Sequence, residues 1–365
     1  MVLILAMLIV VLVISITVSL SWRYNLSLTR SENRLHGMQA RAYLEGAETL
    51  ATVVLQEDAR LDQQNNRPVD SLDEFWAQPS VPFPTDVGWV QGRIEDAQGR
   101  FNINLLKKVV PAMQGNNPQQ NLPPQQMFTA SQRRFIRLLQ TFEFEDGVID
   151  LAQAMEITQA VIDWIDGDDT VTGYGGAETA YYQQLDPPTT PPNDFMVSVS
   201  ELIRIKGMTP ELYRALLPYV IALPESAKLN INTMPLALMR TMAGINDFSP
   251  LTEVDAQLLL EERTTQGGNA QLPNGVNGAN QPNGANQPAQ ATGGFPTVDA
   301  FKSSQVLAAL VNATGGFDNT DLAVESNYFL LYSEARVGDQ ISDGASLLEQ
   351  GNAGVTVIRR TDAHF

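Results

Sequence analysis

The first twenty residues, Met1 to Leu20, form an apolar run interrupted only by Ser15, Thr17 and Ser19 and free of side-chain charge. As a helix rising about 1.5 Å per residue it spans about 30 Å, the hydrocarbon thickness of a bilayer. Trp22-Arg23-Tyr24 comes next with interfacial aromatics and a cation. A cleaved signal peptide needs a basic segment ahead of the apolar core and a small-residue cleavage site behind it, and neither pattern is present here. The run is therefore expected to stay as a membrane anchor, as if a charged leader had been removed ahead of Met1.

Beyond this anchor the chain is polar and acidic. It has 365 residues in all, enough for two domains or for one domain with a large insertion, and 44% of them are apolar. A formal net charge of −18 argues against a nucleic-acid or anionic-membrane surface, since both partners are themselves negative, and leaves metal cations as natural partners. There is no cysteine, which removes disulfides, zinc–thiolate sites and thiol nucleophiles. The two histidines, His36 and His364, have no Ser or acidic cluster beside them in sequence and read as surface residues.

From Tyr24 to about Ala59 there is no proline, and Leu35, Met38, Ala42, Gly46, Thr49 and Val53 recur at helical spacing. Small residues Ala40, Ala42, Gly46 and Ala47 permit close approach of another helix, while Arg30, Glu32, Arg34, Arg41, Glu45 and Glu48 mark a solvated side. One long helix, half in lipid and half outside, is the simplest reading. Asn65-Asn66-Arg67-Pro68 ends it, and Ser71-Leu72-Asp73-Glu74 caps a short helix through Phe75 and Trp76.

The period then changes to two. Val87–Glu95 and Gly99–Asn104 read as a β-hairpin turning at Asp96-Ala97-Gln98-Gly99, and Pro111–Gln126 as a flexible loop. From Ser131 to about Val220 the pattern is helical. Leu202-Ile203-Arg204-Ile205-Lys206-Gly207-Met208 and Leu229-Asn230-Ile231-Asn232-Thr233-Met234-Pro235 each resemble part of a helix-hairpin-helix, for which a packing role is expected because so acidic a surface repels DNA. The hexad Asn-Gly-Ala-Asn-Gln-Pro occurs twice, at 277–282 and 283–288, inside a low-complexity stretch, 265–294, expected to be disordered. Phe295–Val311 returns to helix, and Asn327–Val337, Gly344–Glu349 and Val355–Arg360 read as strands. Strands before and after the helical block cannot each bury a face alone, so they are expected to pair with each other on the long helix.

In this order and spacing, the uncharged N-terminal helix is joined by Gly99-Arg100-Phe101-Asn102-Ile103-Asn104-Leu105, Asp163-Trp164-Ile165-Asp166-Gly167-Asp168-Asp169 and Gly175-Gly176-Ala177-Glu178-Thr179-Ala180-Tyr181-Tyr182. Ser200-Glu201-Leu202 and Leu229-Asn230-Ile231-Asn232-Thr233 complete the set. Together they resemble the K-type minor pseudopilins of the bacterial type II secretion system, the GspK family. The resemblance implies an α+β, type IV pilin-like fold, a long N-terminal helix packed on an antiparallel sheet, with a large α-helical domain inserted into the sheet. The expected division is 1–22 for the transmembrane half of the helix, 23–60 for its periplasmic half, 61–105 and 326–365 for the two parts of the sheet, and 106–325 for the insertion.

The resemblance further implies a single-pass protein of the inner membrane with its bulk in the periplasm, cut by the prepilin peptidase before the apolar helix, with a methylated N-terminus. It would be drawn into a periplasmic pseudopilus to aid export of folded proteins. Implied partners are the I-, J- and H-type minor pseudopilins, the major pseudopilin, the secretin and secreted substrates, and no nucleic acid. Pilin-like families usually carry a glutamate at the fifth mature position; Leu5 stands there if Met1 is the mature start, which implies a place at the filament tip. Rival readings are a minor pilin of a type IV pilus or DNA-uptake system and an anchored periplasmic enzyme. For the latter no Gly-x-Ser-x-Gly, His-Glu-x-x-His or phosphate-binding glycine loop occurs, and no catalytic residue is expected.

Between Arg137 and Arg204 there is no Lys or Arg but thirteen Asp or Glu residues. Most of these acids read as a solvated face. Asp166-Gly167-Asp168-Asp169 differs, lying between the apolar Val161–Ile165 turn and Gly173, Gly175 and Gly176, so that its carboxylates sit in a tight loop. It is not an EF-hand, since counting from Asp166 the sixth residue is Val171 and the twelfth Ala177. The family resemblance implies structural calcium in the inserted domain, with Asp166, Asp168, Asp169 and Glu178 as candidate ligands and Asn193 and Asp194 behind them. Calcium accepts six to eight oxygens in irregular geometry, whereas magnesium demands a stricter octahedron.

Overall fold

The computed structural model describes residues 2–107, 127–145, 147–266, 293–314, 316–351 and 353–361. The expected loop at Pro111–Gln126, the core of the low-complexity stretch and His364 lie outside them. The apolar run and the segment behind it form one uninterrupted helix, α1, Val2–Asn65, which ends where Asn66 turns to a positive φ of 51°. Among the described residues it is the one helix long and apolar enough to cross a membrane.

The sheet has five strands: β1, Phe83–Thr85, and β2, Gly88–Asp96, from before the insertion, and β9, Tyr328–Val337, β10, Gln340–Gly351, and β11, Gly354–Thr361, from after it. Their order is β1-β2-β9-β10-β11, antiparallel throughout. The closing pair is β2 with β9, in register from Gly88 opposite Val337 to Asp96 opposite Phe329.

Alternation along β9 explains why the sheet is buried on both faces. Phe329, Leu331, Ala335 and Val337 face α1, where Ala40, Ala51 and Leu55 meet them, and Trp76 sets its edge on Phe329 at 5.2 Å. Tyr328, Leu330 and Tyr332 face the other way, with Ile221, Leu223 and Ala227 of the insertion. Glu48 is not on a solvated side as expected. It is buried against the sheet, where Ser346 Oγ donates to its Oε1 at 2.5 Å and Arg360 donates to both oxygens at 2.8 Å. Burial pushes this carboxyl up, but the Arg360 and Ser346 hydrogen bonds more than offset it and hold it below the usual range. Conversely Leu35, Met38, Ala42, Gly46, Thr49 and Val53 face away from the sheet, exposed.

The expected hairpin at 96–99 is corrected. Asp96 Oδ1 accepts from the Gln98 amide at 2.7 Å and caps a 3-10 turn over Ala97–Gly99, so the chain leaves the sheet. Its next strand, β3, Phe101–Asn102, pairs in parallel with β6, Val220–Ile221. A Cβ at Gly99 would lie 2.9 Å from Thr233 Oγ1 and 3.2 Å from its carbonyl oxygen, which is why this turn carries glycine.

The insertion is less helical than expected. Helices Ala130–Leu139, Leu151–Ile165, Pro210–Leu216, Glu253–Gln266 and Gln305–Thr314 surround one core, but 143–148 forms the small hairpin of β4, Glu143–Phe144, and β5, Gly147–Val148, and 166–198 is mostly irregular. Leu202, Ile205, Met208, Leu229, Ile231 and Met234 are all in that core, as the packing role requires. A second parallel pair joins β7, Leu229–Asn230, to β8, Leu322–Ala323.

The two Asn-Ile-Asn motifs do the same work at these two pairs. The first Asn of each accepts the amide of the second, Asn104 N to Asn102 Oδ1 at 3.2 Å and Asn232 N to Asn230 Oδ1 at 2.9 Å. The second Asn then clamps both backbone groups of a distant residue, Asn104 those of Met196 and Asn232 those of Phe295. An amide side chain offers both donor and acceptor, which a carboxylate does not.

Sheet and insertion meet at Asp96, whose buried Oδ2 accepts from Asn230 Nδ2 at 3.0 Å, Thr233 Oγ1 at 2.5 Å and Ser326 Oγ at 2.7 Å. Removing the carboxylate takes the acceptor from the buried Gln98 amide and the Thr233 and Ser326 hydroxyls, while Asn230 Nδ2 keeps the Asp70 carbonyl at 3.1 Å. Asp96→Ala is expected to lower unfolding free energy by about 3–5 kcal/mol, measured by urea denaturation of the detergent-solubilised chain; a loss under about 1 kcal/mol would contradict this role.

Candidate metal centre

The helix Leu151–Ile165 starts on Asp150, which accepts the Gln153 amide at 2.8 Å, and ends as the Asp166 amide reaches the Ile162 carbonyl at 2.9 Å. Asp163 and Asp166 are three residues apart at its last turn and so share one face. The loop behind folds back on them. Thr172 N donates to both Asp163 oxygens, at 3.1 and 3.2 Å, and Gly176 passes so close that a Cβ there would lie 2.2 Å from Asp163 Oδ2. This return brings Glu178 to the same point. Carboxylate oxygens of Asp163, Asp166 and Glu178 lie within 4.8 Å of one another.

Glu178 is 3% exposed, and neither of its carboxylate oxygens has a hydrogen-bond partner. A buried carboxylate without partners is among the most unfavourable arrangements a fold can hold, costing on the order of several kcal/mol, unless it is protonated or meets a cation. Burial, with Asp163, Asp166, Asp169 and Asp168 around it, pushes Glu178 up to about 8. Burial and the neighbouring Asp168 and Asp163 raise Asp166 to about 7, and burial raises Asp163. Oxygen-only donors, clustered and uncompensated, fit a hard cation such as calcium.

The structure places the sequence candidates unequally. Asp166 and Glu178 come together. Asp169 stands beside them, its Oδ1 accepting from Thr179 Oγ1 at 2.7 Å, while the Asp168 side chain is exposed and accepts the Thr170 amide at 2.8 Å. Asn193, at a φ of 50°, donates to the Asp168 carbonyl at 3.0 Å and keeps a buried Oδ1 without a partner. Asp194 turns away, accepting from Lys107 at 3.4 Å and from the Phe195 amide. Asp163 was absent from the sequence candidates, although its spacing from Asp166 at a helix end put the two carboxylates on one face.

A carboxyl raised in the folded state contributes stability in full below its unfolded value near 4, and loses it as pH rises through the folded value. For Asp166 and Glu178 those values are about 7 and about 8. In chelator, the melting temperature is expected to fall between about pH 4 and pH 8. Glu178→Gln should flatten part of that fall in a thermal scan series; an unchanged slope would contradict the assignment.

Comparison with known proteins places these features. Residues 99–225, which hold the Asn102–Asn104 clamp and the whole acidic loop, match the family model described as type II secretion system protein K. The chain is 31% identical to the type II secretion system protein K of Pseudomonas aeruginosa over 93% of its own length and 85% of that protein. It is 32% identical to the protein of the same name from Pectobacterium carotovorum subsp. carotovorum, over 93% and 88%. Among solved structures it resembles a chain of the GspK-GspI-GspJ complex from the enterotoxigenic Escherichia coli type 2 secretion system, at a TM-score of 0.64 and 24% identity, covering 91% of this chain and 98% of that one. That likeness bears out the α+β fold of long helix, antiparallel sheet and added helices, and the sequence relatives bear out the motif resemblance: the chain belongs to the type II secretion system protein K family.

Proposed function

We propose that this chain is a minor pseudopilin that caps the tip of the periplasmic pseudopilus together with the I- and J-type subunits and helps to initiate its assembly. It acts as a structural component rather than an enzyme, held in the inner membrane by α1 with its head in the periplasm until it is drawn into the filament. The observation that carries this reading is the outer face of α1. Leu35, Met38, Ala42, Gly46 and Val53 continue the apolar surface of the membrane run beyond the bilayer and are left uncovered by the chain's own sheet.

Beside that face, an apolar groove of about 840 Å³ runs between α1 and the β1–β2 side of the sheet, lined by residues such as Leu50, Val54, Trp76, Val81 and Phe83. Nothing lies within 4 Å of a Cβ built on Gly46, so a second helix has room to approach. A helix lying along α1 continues into the same membrane, so the fitting partner carries its own N-terminal anchor. The solved relative was itself obtained as a complex with GspI and GspJ. The net charge of −18 disfavours the DNA-uptake alternative.

In this reading Asp163, Asp166 and Glu178, with Asp169 and the Asn193 oxygen alongside, hold calcium that fixes the 166–194 loops in a chain without disulfides. Bound calcium supplies the positive charge that these acids lack. Calcium at about 100 times its Kd adds about 2.7 kcal/mol to folding stability, so it should raise the melting temperature and chelator lower it, with Glu178→Gln or Asp166→Asn removing most of the difference. The detergent-solubilised chain should co-purify with the I- and J-type minor pseudopilins, and Gly46→Trp, in the outer face, should weaken that capture at least tenfold. Capture unaffected by Gly46→Trp, or no capture, would overturn the assembly reading; a melting temperature indifferent to calcium and chelator would overturn the metal.

A further inference from the structure

A second group of acids lies near the end of α1 and in the segment that follows it. Asp58 of α1 meets Asp70 and Glu74 of the segment leading into the sheet, with carboxylate oxygens all within 4.8 Å of one another. Asp58 Oδ2 is sealed from solvent and accepts no hydrogen bond. Ser71, 0% exposed, likewise has a buried Oγ without a partner, on the residue whose amide donates to Glu74 Oε2 at 3.1 Å. The remaining contacts at these acids are neutral donors: Trp76 Nε1 to Glu74 Oε2 at 2.7 Å and the Ser326 amide to Asp70 Oδ2 at 2.6 Å.

Among the described residues no Lys or Arg forms an ion pair with Asp58, Asp70 or Glu74. The charged groups facing them are Asp62 of α1, Asp96 at the end of β2 and, beyond Asp62, Arg67 and Glu325. Burial with Asp62 nearby pushes Asp58 up to about 7, burial with Asp58 nearby pushes Glu74 up to about 8, and burial with Asp96 nearby holds Asp70 well above the carboxylate range. Three acids without an ion-paired cation among the described residues, and two orphaned oxygens beside them, are the chemistry of a hard-cation site, with the Ser71 hydroxyl as a neutral fourth oxygen.

We propose that Asp58, Asp70, Glu74 and Ser71 hold a divalent cation of the calcium type, which fastens the end of the anchor helix to the segment that opens the sheet. Binding replaces acid–acid repulsion with coordination. The site is independent of Asp163, Asp166 and Glu178. Its place at the joint between anchor and head makes it a fastening of the whole head rather than of one loop.

Terbium, which occupies calcium sites and emits when a nearby tryptophan is excited, tests this, because Trp76 is bonded to one of the ligands. In the full chain in detergent, with the loop disabled by Asp166→Asn and Glu178→Gln, tryptophan excitation should give saturable terbium emission that calcium chloride displaces. Asp58→Asn should weaken apparent terbium affinity at least tenfold, and Trp76→Phe should remove the emission while the calcium-dependent rise in melting temperature remains. Background emission in the loop-disabled chain, or emission unmoved by Trp76→Phe, would overturn the proposal; the latter also decides the matter if Asp58→Asn does not fold. Failure of the loop site reads out separately, as an unchanged calcium response when Glu178→Gln is added to Asp58→Asn.

Discussion

The carboxylate of Asp96 is the tie on which the rest of this structure depends. It stands at the last residue of β2, directly opposite Phe329 of β9, and it is where the chain leaves the sheet. Its two oxygens accept from a turn, from the first residue of the second Asn motif and the threonine that follows it, and from the approach to β9, so one buried group holds the exit and the re-entry of the insertion together. Closing so long an excursion costs little extra entropy, since that cost grows only with the logarithm of loop length. What has to be supplied is a specific reason for the two ends to meet in one register. Asp96 supplies it at one end of the pair, and the apolar alternation of β9, buried on both faces, supplies it along the rest. Burial pushes this carboxyl up even though four donors pull it down, so the joint holds through hydrogen bonding rather than through an ion pair.

Without cysteine, and with a large excess of acid over base, the molecule has to manage charge inside its fold. It does so differently in different places. Glu48 is matched by Arg360 across the helix–sheet contact. Arg134 and Arg137 are buried and direct their donors to carbonyl oxygens, those of Thr320 and Asp318 and those of Thr241, Gly244 and Asp247. The loop around Glu178 and the joint around Asp58 have no such match, and both leave carboxylate oxygens buried and unpaired. The cations proposed above, one inside the insertion and one where the anchor helix ends, would supply that match.

Much of the fold was legible because its periods are clean. Tyr328–Val337 opens on a short aromatic and apolar run and closes on alternating Ser-Glu-Ala-Arg-Val, which together read as a strand, and the unbroken apolar run with a proline-free stretch behind it reads as a single long helix. The turn at 96–99 misled because Asp-Ala-Gln-Gly has hairpin composition, while the outcome was decided by a side-chain cap and by a parallel partner at Val220 that no local pattern announces. Glu48 looked solvated because its partner Arg360 is hundreds of residues away in sequence, and the spacing from Leu35 to Val53 announced a helix without saying which of its faces the chain itself covers. At the candidate metal centre the acids of one loop could be picked out, but Asp163 was hidden in an apolar helical run, and Asp194 was committed to Lys107 from outside the acidic stretch.

β2 and β9 close the sheet across the insertion in one register, so that the helical domain hangs from a pilin-like head. Because the chain has no cysteine of its own, one introduced pair reads this contact directly. Gln91 and Glu334 are directly opposed on β2 and β9, where Cα separations suit a disulfide, whereas Ser333 points to the other face of the sheet. The full chain carrying Gln91→Cys and Glu334→Cys should oxidise to an intramolecular disulfide, seen as a reductant-reversible mobility shift, and the Gln91→Cys, Ser333→Cys control should not. Absence of the cross-link, or equal cross-linking in the control, would contradict the closed sheet and its register.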